Sequence, residues 1–135
     1  LHYDGTIFHR IIGNFVVQGG GYLPDGTEKP VRASVPNESG NGLSNRRGTV
    51  SMARTNGPHG ATSQFFINLV DNAFLGPGRG GAGYAVFGRV VEGMDVVDRI
   101  ASVATGSRAS FQEDTPLEPV VITTARIIGE AAVPQ

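Results

Sequence analysis

Cysteine is absent from this chain of 135 residues. Its absence excludes a disulfide framework, a thiol nucleophile and a zinc site built from thiolates. No apolar run approaches the roughly 20 residues that a membrane-spanning helix needs. The first six residues lack the apolar core of a signal peptide, so any targeting segment would lie upstream of Leu1. We therefore expect neither a disulfide-stapled nor a membrane-spanning protein.

Charge is also scarce, and its two signs are balanced. Charged residues make up 17% of the chain, the formal net charge is -1 at pH 7, and Lys29 is the only lysine. A near-neutral chain lacks the basic surface that binds nucleic acid or anionic membranes, so we expect neither partner. Hydrophobic residues make up 39%, which is enough for a folded core. The length fits one domain, residues 1–135, in which 129–135 form a tail.

Short apolar stretches between turns dominate the chain. Twenty glycines and eight prolines are dispersed between them and predict many turns. Apolar residues at a period of 3.6 predict one helix over residues 94–101. Alternation and β-branched residues predict strands over 6–12, 15–18, 48–54, 64–69, 84–91 and 120–128. Several short strands with one peripheral helix favour an antiparallel barrel or sandwich over a parallel sheet.

One glycine-rich segment matches a cofactor motif by its letters alone. Residues 76–81 fit G-x-G-x-x-G, but a dinucleotide site needs a helix after the motif, and here a predicted strand begins at Tyr84. We therefore interpret the segment as a loop and expect no cofactor.

Titratable residues do not form a recognisable centre. His2, His9 and His59 lack metal-ligand spacing. His9 lies on the strand face opposite Arg10, and we expect a hydrogen-bonded structural histidine. The acidic pairs indicate a solvated helix face and a loop: Asp95/Asp98 and Glu113/Asp114. The sequence thus offers no candidate for acid–base, nucleophilic or metal chemistry.

An arginine in one predicted strand is accompanied by glutamine and aromatic residues. Arg10 alone could simply point to solvent from a sheet edge. That interpretation weakens because four motifs occur in order: Phe8-His9-Arg10, Phe15-Val16-Val17-Gln18-Gly19-Gly20, Met52-Ala53-Arg54 and Ser63-Gln64-Phe65-Phe66-Ile67. Two more follow: Tyr84-Ala85-Val86-Phe87-Gly88 and Glu92-Gly93-Met94-Asp95-Val96-Val97-Asp98. With these motifs, from Asp4 to about Ile128, the chain resembles bacterial cyclophilin-type peptidyl-prolyl cis-trans isomerases.

The resemblance implies a fold and a set of site residues. The fold would be all-β, an eight-stranded antiparallel barrel with a peripheral helix and an active groove on its outer face. Arg10 matches the catalytic arginine, and Gln18 matches the glutamine that orients it. The matched substrate-binding residues are Phe15, Val16, Ala53, Arg54, Gln64, Phe66, Phe74, Leu75 and Tyr84. The reaction would need no metal and no cofactor.

Four of these positions differ from the animal enzymes of the family. Phe74 stands where they have tryptophan, and Tyr84 where they have histidine; Arg54 replaces asparagine, and Val16 replaces methionine. The changes keep the proline pocket apolar, so isomerase activity is still expected. We expect weak cyclosporin binding, because phenylalanine cannot supply the indole N–H donor.

Family domains begin further upstream, with a hairpin and a helix that cap the barrel. We therefore expect the chain to be N-terminally incomplete. The expected partners are proline-containing polypeptides, including unfolded or folding proteins, and the expected state is a monomer. A bacterial protein of this kind could act in the cytoplasm or the periplasm. Two alternatives stay open: a binding module that grips proline segments without turning them over, and an inactive truncated domain.

Overall fold

The computed structural model describes residues 2–31, 36–37, 39–54, 61–77, 83–109 and 111–128, without the side chain of residue 112. Some predicted features lie outside the described residues. These are most of the loop between the third and fourth predicted strands (55–60, with His59), the second half of the glycine-rich segment (78–81) and the tail (129–135).

Antiparallel strands form two sheets in the described part of the chain. The five-stranded sheet has the order β1-β2-β4-β3-β5, and β6 and β7 form a hairpin. The strands are β1 (Phe8–Ile12), β2 (Val16–Gly19), β3 (Thr49–Met52), β4 (Phe65–Asn68), β5 (Val86–Arg89), β6 (Thr105–Arg108) and β7 (Phe111–Pro116). One α-helix, α1 (Met94–Ala101), follows β5, and a 3₁₀ turn spans Ala73–Leu75. The hairpin packs against β1.

The strand register places different sets of side chains on the two faces of the five-stranded sheet. Ile11 pairs with Val17, and Val17 pairs with Ile67. These three side chains are buried and form the main core cluster together with Leu69 and Val97. Since side chains alternate along a strand, the neighbouring row faces the other way.

That second row crosses the same strands one residue along. Arg10 pairs with Gln18, Gln18 pairs with Phe66, and Phe66 pairs with Ser51. The register therefore gathers an arginine, a glutamine and an aromatic ring from separate parts of the sequence onto one face of the sheet.

Helix α1 covers the core face. Its predicted bounds are confirmed, and Val97 is its buried residue in the core cluster. Gly93 precedes the helix with φ +92°, a left-handed conformation that glycine adopts without strain. On the solvent side, Asp98 makes a two-pronged ion pair with Arg47, at 2.7 and 3.0 Å. This hydrogen bonding lowers the pKa of the Asp98 carboxyl. No helix in the described ranges has the length and hydropathy of a membrane span.

The all-β antiparallel fold class is confirmed, and strands β1 to β5 lie within two residues of their predicted bounds. Two element predictions were wrong. The acidic pair Glu113/Asp114, predicted to lie in a loop, belongs to strand β7. The predicted strand over 120–128 is reduced to a bridge between Val121 and Ile7. The sheet is open in the described residues and does not close into an eight-stranded barrel.

Candidate active site

An open cavity of about 230 Å³ lies on the second face of the sheet. Its walls come from β1, β2 and β4, from the end of the 3₁₀ turn and from the segments that flank β3 and β5. The lining residues are Arg10, Phe15, Val16, Gln18, Ala53, Arg54, Phe66, Leu75 and Tyr84. Within the described ranges, no three His, Asp or Glu side chains are grouped as a metal site would require.

Arg10 is the exposed member of this lining, and two glutamines hold it in place. Its Nη1 donates to Oε1 of Gln18 at 3.2 Å. The Nε2 of Gln18 in turn donates to Oε1 of Gln64 at 3.0 Å. The register of β1 and β2 makes the first bond possible, because Arg10 and Gln18 are directly opposite each other. The guanidinium is thus oriented while most of its donors stay available.

The floor of the cavity is apolar. Val16, Ala53 and Phe66 are buried and form a second cluster, against which Phe15, Leu75 and Tyr84 pack. The rings of Phe66 and Tyr84 meet edge to face, with centroids 5.7 Å apart, a geometry that aromatic pairs prefer. A small apolar ring fits such a cup better than a charged group does.

A second cation stands at the rim of the cavity. The guanidinium carbon of Arg54 lies 4.4 Å from the centroid of the Tyr84 ring, within cation–π range. Its Nε donates to the carbonyl of Gly83 at 3.1 Å. These contacts hold Arg54 against the Tyr84 ring.

Two predicted binding residues lie beside the cavity and do not line it. Gln64 reaches the site through its hydrogen bond to Gln18. Phe74 is 61% exposed and stacks on Phe15, with ring centroids 5.9 Å apart. The structure therefore brings every predicted site residue into one region.

His9 lies on the other side of β1, between the rings of Tyr22 and Phe111 at 4.7 and 5.3 Å. Its Nδ1 is buried and has no hydrogen-bond partner among the described residues, so the expectation of a hydrogen-bonded histidine fails at this atom. Burial, and secondarily the charge of Arg10, lower the pKa of His9 to about 4. His9 is therefore neutral near pH 7 and contacts aromatic rings rather than the cavity.

Three buried asparagines beneath the cavity were missed from the sequence. Asn45, Asn68 and Asn72 are at most 3% exposed and hydrogen-bond one another through their side chains. Asparagine usually lies in turns and on the surface, so no periodicity singles these positions out. The position of Asn68 directly after the apolar run Phe65-Phe66-Ile67 is the one available signal.

Comparison with known proteins gives one family. The family described as "Cyclophilin type peptidyl-prolyl cis-trans isomerase/CLD" matches residues 1–127. The chain is 58% identical over 131 residues to peptidyl-prolyl cis-trans isomerase cyp18 of Streptomyces antibioticus; the match covers 95% of this chain and 78% of that protein. It is 54% identical over 125 residues to a peptidyl-prolyl cis-trans isomerase of Acinetobacter baylyi, covering 93% of this chain and 66% of that protein.

The fold is similar to a solved structure as well. A cyclophilin type peptidyl-prolyl cis-trans isomerase of Cryptosporidium parvum, crystallised in the presence of the dipeptide Ala-Pro, superposes with a TM-score of 0.72 at 27% identity. The superposition covers 90% of this chain and 73% of that one.

Proposed function

This chain belongs to the cyclophilin-type peptidyl-prolyl cis-trans isomerase family of the bacterial type, whose reaction is rotation about X-Pro peptide bonds. We propose that its 230 Å³ cavity seats the proline while Arg10 stabilises the twisted bond. The observation that carries this proposal is the register that pairs Arg10 with Gln18 in the wall of a cavity with an apolar floor.

The difficulty of the reaction is kinetic. Resonance between the nitrogen and the carbonyl gives the amide bond a rotational barrier of about 18–20 kcal/mol. The cis and trans forms of an X-Pro bond differ by only about 0.5–1 kcal/mol. Twisting the bond localises the lone pair on the proline nitrogen, which then becomes a better hydrogen-bond acceptor. A catalyst therefore has to stabilise the twisted form and needs to transfer no proton.

Arg10 suits this task because a guanidinium stays protonated and presents a rigid fork of donors. One Nη1 donor is engaged by Gln18, which fixes the plane of the fork. The remaining donors can face the proline nitrogen of a bound substrate. Gln64 holds Gln18 in turn, so the guanidinium is oriented before substrate arrives. Preorganisation of this kind avoids a reorganisation cost in the transition state.

The apolar cup supplies the other half of the mechanism. Phe66, Val16 and Leu75 can surround the proline ring and hold it still. The carbonyl of the residue that precedes proline then rotates about the X-Pro peptide bond. A preorganised donor supplies about 3–4 kcal/mol, which corresponds to roughly 10²–10³ in rate. Burial of the ring and selection of the twisted conformer must supply the rest of the acceleration.

Exchange NMR on a short peptide that contains Ala-Pro tests the proposal. The wild-type chain should catalyse cis–trans exchange and shift the resonances of Phe15, Phe66 and Tyr84. The Arg10→Ala variant should lose about 10²–10³ in kcat while its peptide Kd changes far less. Equal losses in kcat and affinity would contradict a transition-state role for Arg10. Binding without exchange by the wild-type chain would instead identify a proline-binding module.

Cyclosporin should bind this protein weakly. Phe74 lies at the rim, stacked on Phe15, and its side chain has no hydrogen-bond donor. Inhibition of the wild-type chain should therefore need more cyclosporin than inhibition of Phe74→Trp, which restores an N–H donor. Equal inhibition of the two proteins would show that the donor is unimportant.

The partners we propose are proline-containing polypeptides, including folding proteins, bound by the protein as a monomer. The groove accepts the proline through shape and apolar contact, which supports broad selectivity for the residues around it. Light scattering of the chain across a range of concentrations tests the monomer, and a mass that rises with concentration would contradict it.

A further inference from the structure

A line of buried amide side chains runs beneath the cavity. Asn72 Nδ2 donates to Asn68 Oδ1 at 2.8 Å, and Asn68 Nδ2 donates to Asn45 Oδ1 at 3.1 Å. Asn45 Nδ2 then donates to the carbonyl of Tyr84 at 3.2 Å. At the other end, Asn72 Nδ2 also donates to the carbonyl of Phe15 at 3.1 Å. We call Asn45, Asn68 and Asn72 the asparagine chain.

The two ends of the asparagine chain meet two walls of the cavity. Phe15 and Tyr84 both line it and are far apart in the sequence. The backbone carbonyl of Asn72 also accepts the backbone N–H of Leu75, another lining residue, at 3.0 Å. None of the three asparagines lines the cavity itself. Their contact with substrate is therefore indirect and runs through the backbone of the walls.

Neighbouring groups fix the orientation of the central amide. Asn68 Nδ2 has two acceptors, Asn45 Oδ1 and, at 2.9 Å, Thr49 Oγ1. Its Oδ1 has one donor, Asn72 Nδ2. Rotating the amide by half a turn would set oxygen against oxygen on one side and donor against donor on the other. In a buried site such mismatches cost as much as lost hydrogen bonds, so the side chain has one allowed orientation.

We infer that Asn68 is a positioning residue, which fixes the spacing of Phe15 and Tyr84, two walls of the cavity that seats the proline ring. The inference rests on the proposed function, because it assumes that the proline occupies this cavity. It predicts that Asn68 affects the affinity for substrate. The rate constant of rotation depends instead on Arg10, which the asparagine chain does not contact. An apolar replacement would remove the hydrogen bonds from Asn72 to Asn68 and from Asn68 to Asn45, and so break the link between the carbonyls of Phe15 and Tyr84.

Replacement of Asn68 by an apolar residue of similar size tests the inference by NMR titration and exchange spectroscopy on the same Ala-Pro peptide. In Asn68→Leu the peptide Kd should rise about fivefold, the effect of roughly one hydrogen bond, while kcat stays close to the wild-type value. The amide resonances of Phe15 and Tyr84 should move in the free protein.

Thr49→Val provides the matched control. It removes an acceptor from Asn68 but leaves the asparagine chain from Asn72 to Asn45 intact. Both variants should unfold at lower urea concentration than the wild type, but only Asn68→Leu should bind peptide more weakly. If Asn68→Leu does not fold, Asn72→Ala carries the same test, because it detaches Phe15 from the asparagine chain.

Two outcomes overturn the inference: an unchanged Kd in Asn68→Leu, or an equal rise of Kd in Thr49→Val, which would indicate general loosening. If the Phe15 and Tyr84 resonances of the wild-type chain do not shift when the peptide is added, the proposed function is overturned instead. The two failures are therefore distinguishable.

Discussion

At the scale of single residues, the guanidinium of Arg10 is held by a relay of two glutamines. Gln64 fixes Gln18, and Gln18 fixes Arg10, each through one side-chain hydrogen bond. The order of residue types along the chain was enough to predict these positions, because it resembles the motifs of the cyclophilin family. The asparagine chain was not predictable in that way, because its members matter through bonds to one another and no sequence spacing encodes those bonds.

The relay depends on a glycine. A Cβ on Gly21 would lie 2.6 Å from Cγ and 2.8 Å from Nε2 of Gln64. Gly21→Ala should therefore push Gln64 away from Gln18 and leave Arg10 less well oriented. We expect kcat to fall about tenfold, the equivalent of one weakened hydrogen bond to a charged group, with little loss of stability. The exchange assay and urea unfolding measure the two effects, and a wild-type kcat would contradict the relay.

His9 makes stability depend on pH. Its pKa is about 4 in the folded protein and about 6.5 in the unfolded chain, so between these values the unfolded state binds more protons. The free energy of unfolding should therefore fall as the pH is lowered from about 6.5 to about 4, by about 3 kcal/mol from this residue.

Urea unfolding at several pH values measures this dependence. His9→Phe keeps a ring between Tyr22 and Phe111 but cannot titrate, so its profile should be flatter than that of the wild type. Parallel profiles for the two proteins would show that His9 does not contribute.

At the scale of elements, hydrophobic patterning predicted the helix and the strands that pack against the main core. Helix α1 and strands β1 to β5 carry clear apolar periodicity, and their positions were predicted correctly. The β6–β7 hairpin was missed because its strands are polar: Thr-Gly-Ser-Arg in one and the acidic pair in the other. Such strands are held by pairing with each other and by packing on β1, which no local pattern reveals. The segment 120–128 has the opposite character, apolar in sequence yet paired only near Val121.

The docking of helix α1 can be tested on adjacent residues. Val97 is buried in the core cluster, whereas Val96 is 44% exposed. Val97→Ala should lower the free energy of unfolding by about 2 kcal/mol, from lost burial and the cavity left behind. Val96→Ala has the same change in chemistry and should cost less than about 0.5 kcal/mol. Similar losses in urea unfolding would contradict the assigned helix face.

At the scale of the whole molecule, the hairpin and the C-terminal segment are fastened to the start of the sheet. Phe8 donates its backbone N–H to Val120 at 3.0 Å, and Ala125 donates to Asp4 Oδ1 at 2.9 Å. The ring of Phe111 on β7 lies against His9 of β1. These contacts join the hairpin and the C-terminal segment to the five-stranded sheet, and we predict that they form a single domain. The resemblance alone implied a closed barrel.

A single domain should unfold in one transition. Urea unfolding followed by far-UV circular dichroism should coincide with unfolding followed by fluorescence of the three tyrosines, whose rings contact phenylalanines of β4 and β7. An earlier transition in the tyrosine signal would show that one part of the structure unfolds before the rest, which would contradict a single domain.

Charge at residue 10 is the central claim, and the kcat of two Arg10 variants tests it most directly. Arg10→Met keeps an unbranched side chain but carries no charge, whereas Arg10→Lys keeps the charge and loses the fork. In exchange NMR on the Ala-Pro peptide, kcat should fall about 10²–10³-fold in Arg10→Met and less in Arg10→Lys, with similar peptide affinity in both. Rotation by Arg10→Met at the wild-type rate would contradict the account.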